Sequence, residues 1–183
     1  MAQFTEKEKI IINSNTLNTP FKVLSVYNEE EEIQLRTKSE DIDIDVDSIL
    51  LNTLIERMKV TLDEEMGVGL AAPQVGIMKN IFLFVRIDLP DEPVAVAINP
   101  RILNHADKLI CFDGDGCLSV PGQSGDSMRY PWIEVEYINE KGELIREKLY
   151  GHSRQDNFVA VIFQHEFDHL QGILYTDKLC EDQ

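Results

Sequence analysis

Residues Gln164 to Gly172, Gln-His-Glu-Phe-Asp-His-Leu-Gln-Gly, contain the pattern His-Glu-x-x-His. On a helix, at 100° per residue, His165 and His169 lie about 40° apart on one face, with Glu166 about 60° beyond His169 at its edge. Two imidazoles so placed can share one metal ion, with a carboxylate beside the open coordination position, as metal-assisted hydrolysis requires. A surface helix that happens to carry histidines and acids has the same sequence, so the reading needs a third ligand.

A catalytic metal site usually has three protein ligands. No histidine follows His169, and the extended metalloprotease pattern His-Glu-x-x-His-x-x-Gly-x-x-His holds only as far as Gly172, with Tyr175 at its last position. Upstream candidates are Cys117, His105 and His152. Cys117 stands out because Gly116, Leu118, Ser119 and Pro121 frame it; a cysteine that merely packs needs no such frame. His105 and His152 sit in polar stretches and read as ordinary exposed histidines.

The elements that must position these residues follow from pattern. Asp156 is a candidate N-cap for the motif helix; Val159, Ile162, Phe163 and Leu170 give it buried faces, and Gly172 stops it. Leu51, Leu54, Ile55, Met58, Leu62 and Met66 recur at helical spacing after a candidate cap at Asp47, predicting an amphipathic helix of about five turns near the N-terminus. Gly67 to Gly76, Gly-Val-Gly-Leu-Ala-Ala-Pro-Gln-Val-Gly, breaks it. Such a loop closes the helix or lets something approach its backbone closely, and it lacks the Lys-Ser/Thr of a phosphate loop. Strands are expected at 21–26, 81–87, 94–98, 101–103 and 109–112, a loop at 121–130, and a hairpin over 132–150 turning at Asn139 to Gly142. Glu29 to Glu32 reads as a solvated turn. The order predicts an α+β fold, with mixed or antiparallel short-stranded sheets around a central metal-binding helix. Residues 1–20 form a polar arm and 21–183 a single domain.

The 183 residues are 43% hydrophobic and 27% charged, the range of soluble globular proteins. A formal charge of −16 with no basic patch argues against nucleic acid as a partner. No apolar run approaches the roughly 20 residues that span a bilayer, and the N-terminus has no secretory signature, so no membrane partner is expected. Three cysteines, an odd number in a chain of this length, point to a reducing compartment, and the cytoplasm is the expected location.

Gly-Val-Gly-Leu-Ala-Ala-Pro-Gln at 67–74, Gly-Cys-Leu-Ser at 116–119 and Gln-His-Glu-Phe-Asp-His at 164–169 resemble, in order and spacing, the three signature motifs of the peptide deformylases. The resemblance runs from about Val23 to Leu179. It implies that Cys117, His165 and His169 bind one divalent metal, natively Fe(2+), with Zn(2+), Ni(2+) or Co(2+) possible in preparations, because the donor set itself does not discriminate. It implies water at the fourth position, Glu166 as its general base, and the Gln74 amide with the Leu118 backbone N–H as donors to the oxyanion. Gly69 would let the substrate backbone lie close, and Val68, Val161 and Ile162 would line a methionine pocket. The reaction implied is removal of formate from N-formylmethionine on nascent peptides, with the ribosome as a transient partner.

Two positions depart from the family pattern. Asp115 stands where the family usually has glutamate, resetting any ion pair it makes, for instance with Arg129. A family arginine thought to help hold the substrate aligns with Ser124. Two other readings use the same residues: a metallopeptidase with a third ligand other than Cys117, and an acidic binding module with a structural metal. Neither a structural site nor a module needs Gln74 and Glu166.

Overall fold

The structure, a computed structural model, describes residues 2–43 and 48–181. Its core strand β2 (Ile81–Val85) is an unbroken apolar run because both faces are covered. Ile81 and Leu83 enter one apolar cluster, Phe82 and Phe84 the other. Around it β1 (Gly69–Ala71), β3 (Val94–His105), β6 (Trp132–Ile138) and β7 (Leu144–Tyr150) form a five-stranded sheet ordered β1-β2-β3-β6-β7, antiparallel at every pairing. β4 (Ile110–Gly116) and β5 (Ser124–Arg129) form a separate antiparallel pair.

A helix covers each face of the large sheet. On one, α3 (Ser48–Glu64) buries Leu54, Met58 and Leu62 against Ile81 and Leu83. On the other, α4 (Val159–Leu170) sets Phe163 edge-on to Phe82 and Phe84, with ring centres 4.9 and 5.3 Å apart. Such pairs add about 1 kcal/mol each beyond area burial. These contacts fix α4, and with it the His-Glu-x-x-His residues, against the middle of the sheet. Gly172 ends α4 as expected: it has φ +73°, and an added Cβ would meet the Arg36 carbonyl carbon at 2.6 Å.

Several expectations are corrected. Residues 21–26 form no strand, although Leu24 and Val26 donate to the carbonyls of Gln74 and Ser119. The acidic run is a helix, α2 (Glu29–Leu35), because Asn28 Oδ1 accepts from the N–H groups of Glu30 and Glu31 and four acids face the positive helix end. Within the polar arm, α1 (Glu6–Ile12) starts at a Thr5–Glu8 capping box and sends Ile12 into the core beside Phe4. Two expected strands are one: β3 continues through Pro100 with Asn99 at φ +50° and a register shift, where proline is tolerated. The expected loop at 121–130 contains β5. Asp156 does not cap α4; Asn157 Oδ1 accepts from Val159 N–H. The candidate cap at Asp47 lies outside the described residues.

Cys111 and Cys180 form a disulfide with Cα atoms 6.0 Å apart, a pairing that runs against the reducing compartment expected from the odd cysteine count. Among the described residues, no helix is long and apolar enough to cross a membrane.

Candidate metal centre

Every residue of α4 except Phe167 is buried, including Gln164, His165, Glu166, Asp168 and His169. Buried polar groups mostly find partners, and here most of the partners come from outside the helix. Gln164 clamps Tyr130, accepting from its N–H and donating to its carbonyl, both at 2.9 Å. Asp168 accepts from Arg129 at 2.6 Å and Lys178 at 2.7 Å. His165 Nδ1 pairs with Asp115 Oδ1 at 2.9 Å, and Asp115 Oδ2 accepts from Ser127 at 2.6 Å and from Arg129 Nη2 at 2.7 Å. The shorter acid at 115 therefore reaches both His165 and Arg129.

With Nδ1 engaged, His165 keeps Nε2 for a metal, its orientation set from behind. Ligand atoms of Cys117, His165 and His169 lie within 4.8 Å of one another, and Cys117 Sγ is 3.3 Å from His169 Nε2. A tetrahedral ion with bonds of about 2.0–2.3 Å holds its ligands roughly 3.3–3.8 Å apart, so one thiolate and two imidazoles here fit a divalent ion. His105 and His152 are exposed and lie outside this cluster. His105 closes β3 and stacks on Tyr130.

The electrostatics divide the two histidines. Burial opposes protonation of His165, yet its contacts with Asp115 and Cys117 hold it well above the ordinary histidine range. Burial and the neighbouring His165 push His169 well below that range, keeping it a neutral donor. Asp115, despite burial, is held below the usual carboxylate range by His165 and Arg129. Glu166 has no compensating partner: Oε2 is buried without a hydrogen bond among the described residues, and burial raises its pKa to about 7.

Gln74 sits in the short 3₁₀ helix Ala72–Val75, 1% exposed. Its Oε1 accepts from Ala71 N–H at 2.8 Å, which turns Nε2 toward Ser119 Oγ at 3.1 Å and Cys117 Sγ at 3.6 Å. The N–H of Leu118, just past β4, donates to no acceptor of the described residues. Gly69 is glycine for a reason the sequence reading did not supply: an added Cβ would lie 2.8 Å from Glu166 Cγ, 2.7 Å from Cδ and nearer still to Oε1.

These groups open into a cavity of about 400 Å³ whose lining includes Val68, Gly69, Gln74, Cys117, Leu118, Val161, Ile162, His165 and Glu166. His169 is not in that lining and approaches the cluster from beneath, 1% exposed. The sequence reading missed Phe112, Phe158 and Arg154 in the same wall. It also missed the tie from Asp115 to His165 and from Arg129 to Asp168, whose only sequence signals were charged residues inside otherwise structural segments.

A family model described as polypeptide deformylase matches residues 22–183. Peptide deformylase 1 of Clostridium acetobutylicum is 43% identical over 150 residues, 82% of this chain and 91% of that one. The peptide deformylase of Prochlorococcus marinus is 33% identical over 184 residues, covering 100% of this chain and 86% of its own. Among solved structures, the Thermotoga maritima peptide deformylase superposes with a TM-score of 0.74 at 33% identity, over 88% of this chain and 99% of that one. A class I type b peptide deformylase from Acinetobacter baumannii with Met-Ala-Ser bound has a TM-score of 0.75 at 30% identity, with the same coverage.

Proposed function

The chain belongs to the polypeptide deformylase family, hydrolases that remove the formyl group from nascent peptides, and on that premise we propose that Cys117, His165 and His169 hold its metal while Glu166 moves the protons. The observation that carries the assignment is the convergence of those three donors beside a buried carboxylate with one oxygen unpartnered among the described residues. The ion, taken as ferrous iron on the family's pattern, supplies Lewis acidity that polarises the formyl carbonyl and acidifies water.

The protein groups do the rest. Ionised Glu166 takes a proton from the attacking water as its oxygen bonds to the formyl carbon, then gives that proton to the nitrogen as the C–N bond breaks. Burial, which raises the Glu166 pKa, helps it keep the proton between the two halves of that transfer. Gln74 Nε2 and Leu118 N–H donate to the oxyanion, each worth about 3–4 kcal/mol in the transition state. Formate leaves and the methionine amine is freed.

Substrate placement follows from the sheet. β1 is an edge strand, so its outer side can pair with an extended peptide, and the side chain next to the formyl group enters the apolar wall of Val68, Val161 and Ile162 with Phe112 and Phe158. The Met-Ala-Ser held by the Acinetobacter relative is a peptide of this kind. The substrate would be the N-terminus of a nascent chain, met in the cytoplasm at the ribosome.

The test is formate release from an N-formylmethionyl peptide by anaerobically prepared protein, with its N-acetyl counterpart and the Glu166→Gln variant alongside. Release from the formyl peptide alone, lost in the variant with metal retained, is expected. Undiminished release by Glu166→Gln would remove that residue from the mechanism, and no release by metal-loaded wild type would overturn the assignment.

A further inference from the structure

The cavity has a single Lys or Arg side chain in its described lining, and it belongs to none of the three motifs. Arg154 lies in the segment between β7 and α4. Its Nε donates to the carbonyl of Gly114 at 2.8 Å. Its guanidinium carbon sits 5.4 Å from the centre of the Phe158 ring and 5.8 Å from that of Phe112, both in the cavity wall. The side chain is thus positioned from β4 and from the approach to α4, although the residue is exposed. Its two terminal nitrogens have no hydrogen-bond or ion-pair partner among the described residues.

That combination is unlike a solvated surface arginine. The stem is fixed and the fork is open, the geometry that matches a carboxylate with two parallel hydrogen bonds. The chain's net charge of −16 repels an acidic peptide at long range, and Glu65, Asp115 and Glu166 share the cavity lining, so the attraction that an acid finds there must come from the Arg154 fork at close range. Ser124, on the other side of β4, brings no charge of its own.

We propose that Arg154 is a specificity-determining residue that binds a carboxylate side chain at the second or third residue of the formyl peptide. The inference rests on the deformylase reading and adds a substrate preference to it. Acidic residues just after the formylmethionine would be favoured over neutral and basic ones, and Arg154, not overall charge, would be the cause.

The test compares kcat/KM for formate release from C-terminally amidated formyl-Met peptides with Asp, Asn or Lys at the second or the third position. The variants are Arg154→Met, which keeps the stem packing, Arg154→Lys and Arg154→Glu. In the wild type the Asp peptide should lead the Asn peptide by about 5- to 10-fold at one of the positions, mainly through KM and less so in high salt. Arg154→Met should erase the Asp:Asn ratio, Arg154→Lys restore it in part, and Arg154→Glu turn the preference to Lys. Equal rates for Asp, Asn and Lys in the wild type would overturn the proposal. So would an Arg154→Met loss common to all peptides, which would make the residue a brace for Gly114. Preference for a free C-terminal carboxylate over its amide, without side-chain preference, would also overturn it. No formate from any peptide would instead defeat the deformylase reading.

Discussion

Replacing Gly69 with alanine should disable the proton-transfer step while leaving the metal ligands in place. The added Cβ would sit 2.7 Å from Glu166 Cδ and 2.8 Å from Cγ, where ordinary contact begins near 3.4 Å. Relief requires a movement of about 1 Å by the carboxylate or by β1. Gly69 is paired with Phe84 of β2, whereas the Glu166 carboxylate ends a flexible side chain at the cavity with Oε2 unbonded among the described residues, so the base gives way and leaves its place. A displacement of that size at a reacting group costs on the order of 100-fold in rate, and complete loss of the base 100- to 10,000-fold. The expected result is a kcat lowered by about 100-fold or more, with metal content unchanged, because none of the three atoms nearest the added Cβ belongs to Cys117, His165 or His169. Formate release under saturating peptide, with metal analysis on the same sample, makes the measurement. A raised KM with kcat intact would refute the reasoning: the glycine would then exist to admit the substrate backbone, as the sequence alone suggested, and not to clear the base.

Two further outcomes follow from the buried charges. Asp115→Asn should weaken metal retention against a chelator by about 10- to 100-fold, since the carboxylate that orients His165 and raises its basicity as a donor is neutralised; unchanged retention would mean that Asp115 serves only Arg129. In metal-free protein, Glu166→Gln should make stability less sensitive to pH between 4.5 and 7. The folded carboxyl titrates near 7 against an ordinary 4.5, so the folded state holds the extra proton in that interval and the wild type loses stability as pH rises, by up to about 3 kcal/mol. Denaturant unfolding of both proteins at pH 4, 6 and 8 reads the difference directly, and parallel curves would show that Glu166 ionises as easily in the folded state as in the unfolded one.

What the sequence revealed depended on whether the signal was local. The motif helix and α3 were legible because their apolar residues repeat at helical spacing over several turns, and the 132–150 hairpin because its alternation flanks a turn at Asn139 to Gly142. α2 was hidden by four consecutive glutamates, which look like a solvated turn unless Asn28 is weighed as a cap. β5, Ser-Gly-Asp-Ser-Met-Arg, has no apolar alternation; it is a strand because β4 pairs with it and Arg129 is drawn under α4. Cys117, His165 and His169, which the fold brings together, were legible from motif and resemblance, but the pairing of Asp115 with His165 joins residues 50 apart, and the disulfide joins residues 69 apart. Contacts of that kind are products of the fold and leave no periodicity to read.

The two sheets share no strand pairing among the described residues, yet the candidate metal site joins Cys117, just past the end of a strand of the small sheet, to both histidines of the helix on the large one. Something else must hold the ligands in register, and the ionic network is the strongest candidate. Arg129 leaves β5 to reach Asp115 on β4 and Asp168 on α4 at once, and Lys178 adds a second cation to Asp168. Downstream of α4 the chain returns to the small sheet, bridging Leu179 to Ser127 and Cys180 to Cys111. The small sheet is therefore tied to α4 by charge from within and by the C-terminal segment from without. Buried ion networks are poor sources of net stability, because desolvation offsets most of their attraction. Their value here is alignment: a carboxylate that must sit behind His165 and an arginine that must bridge two elements leave few other ways for the sheets to meet.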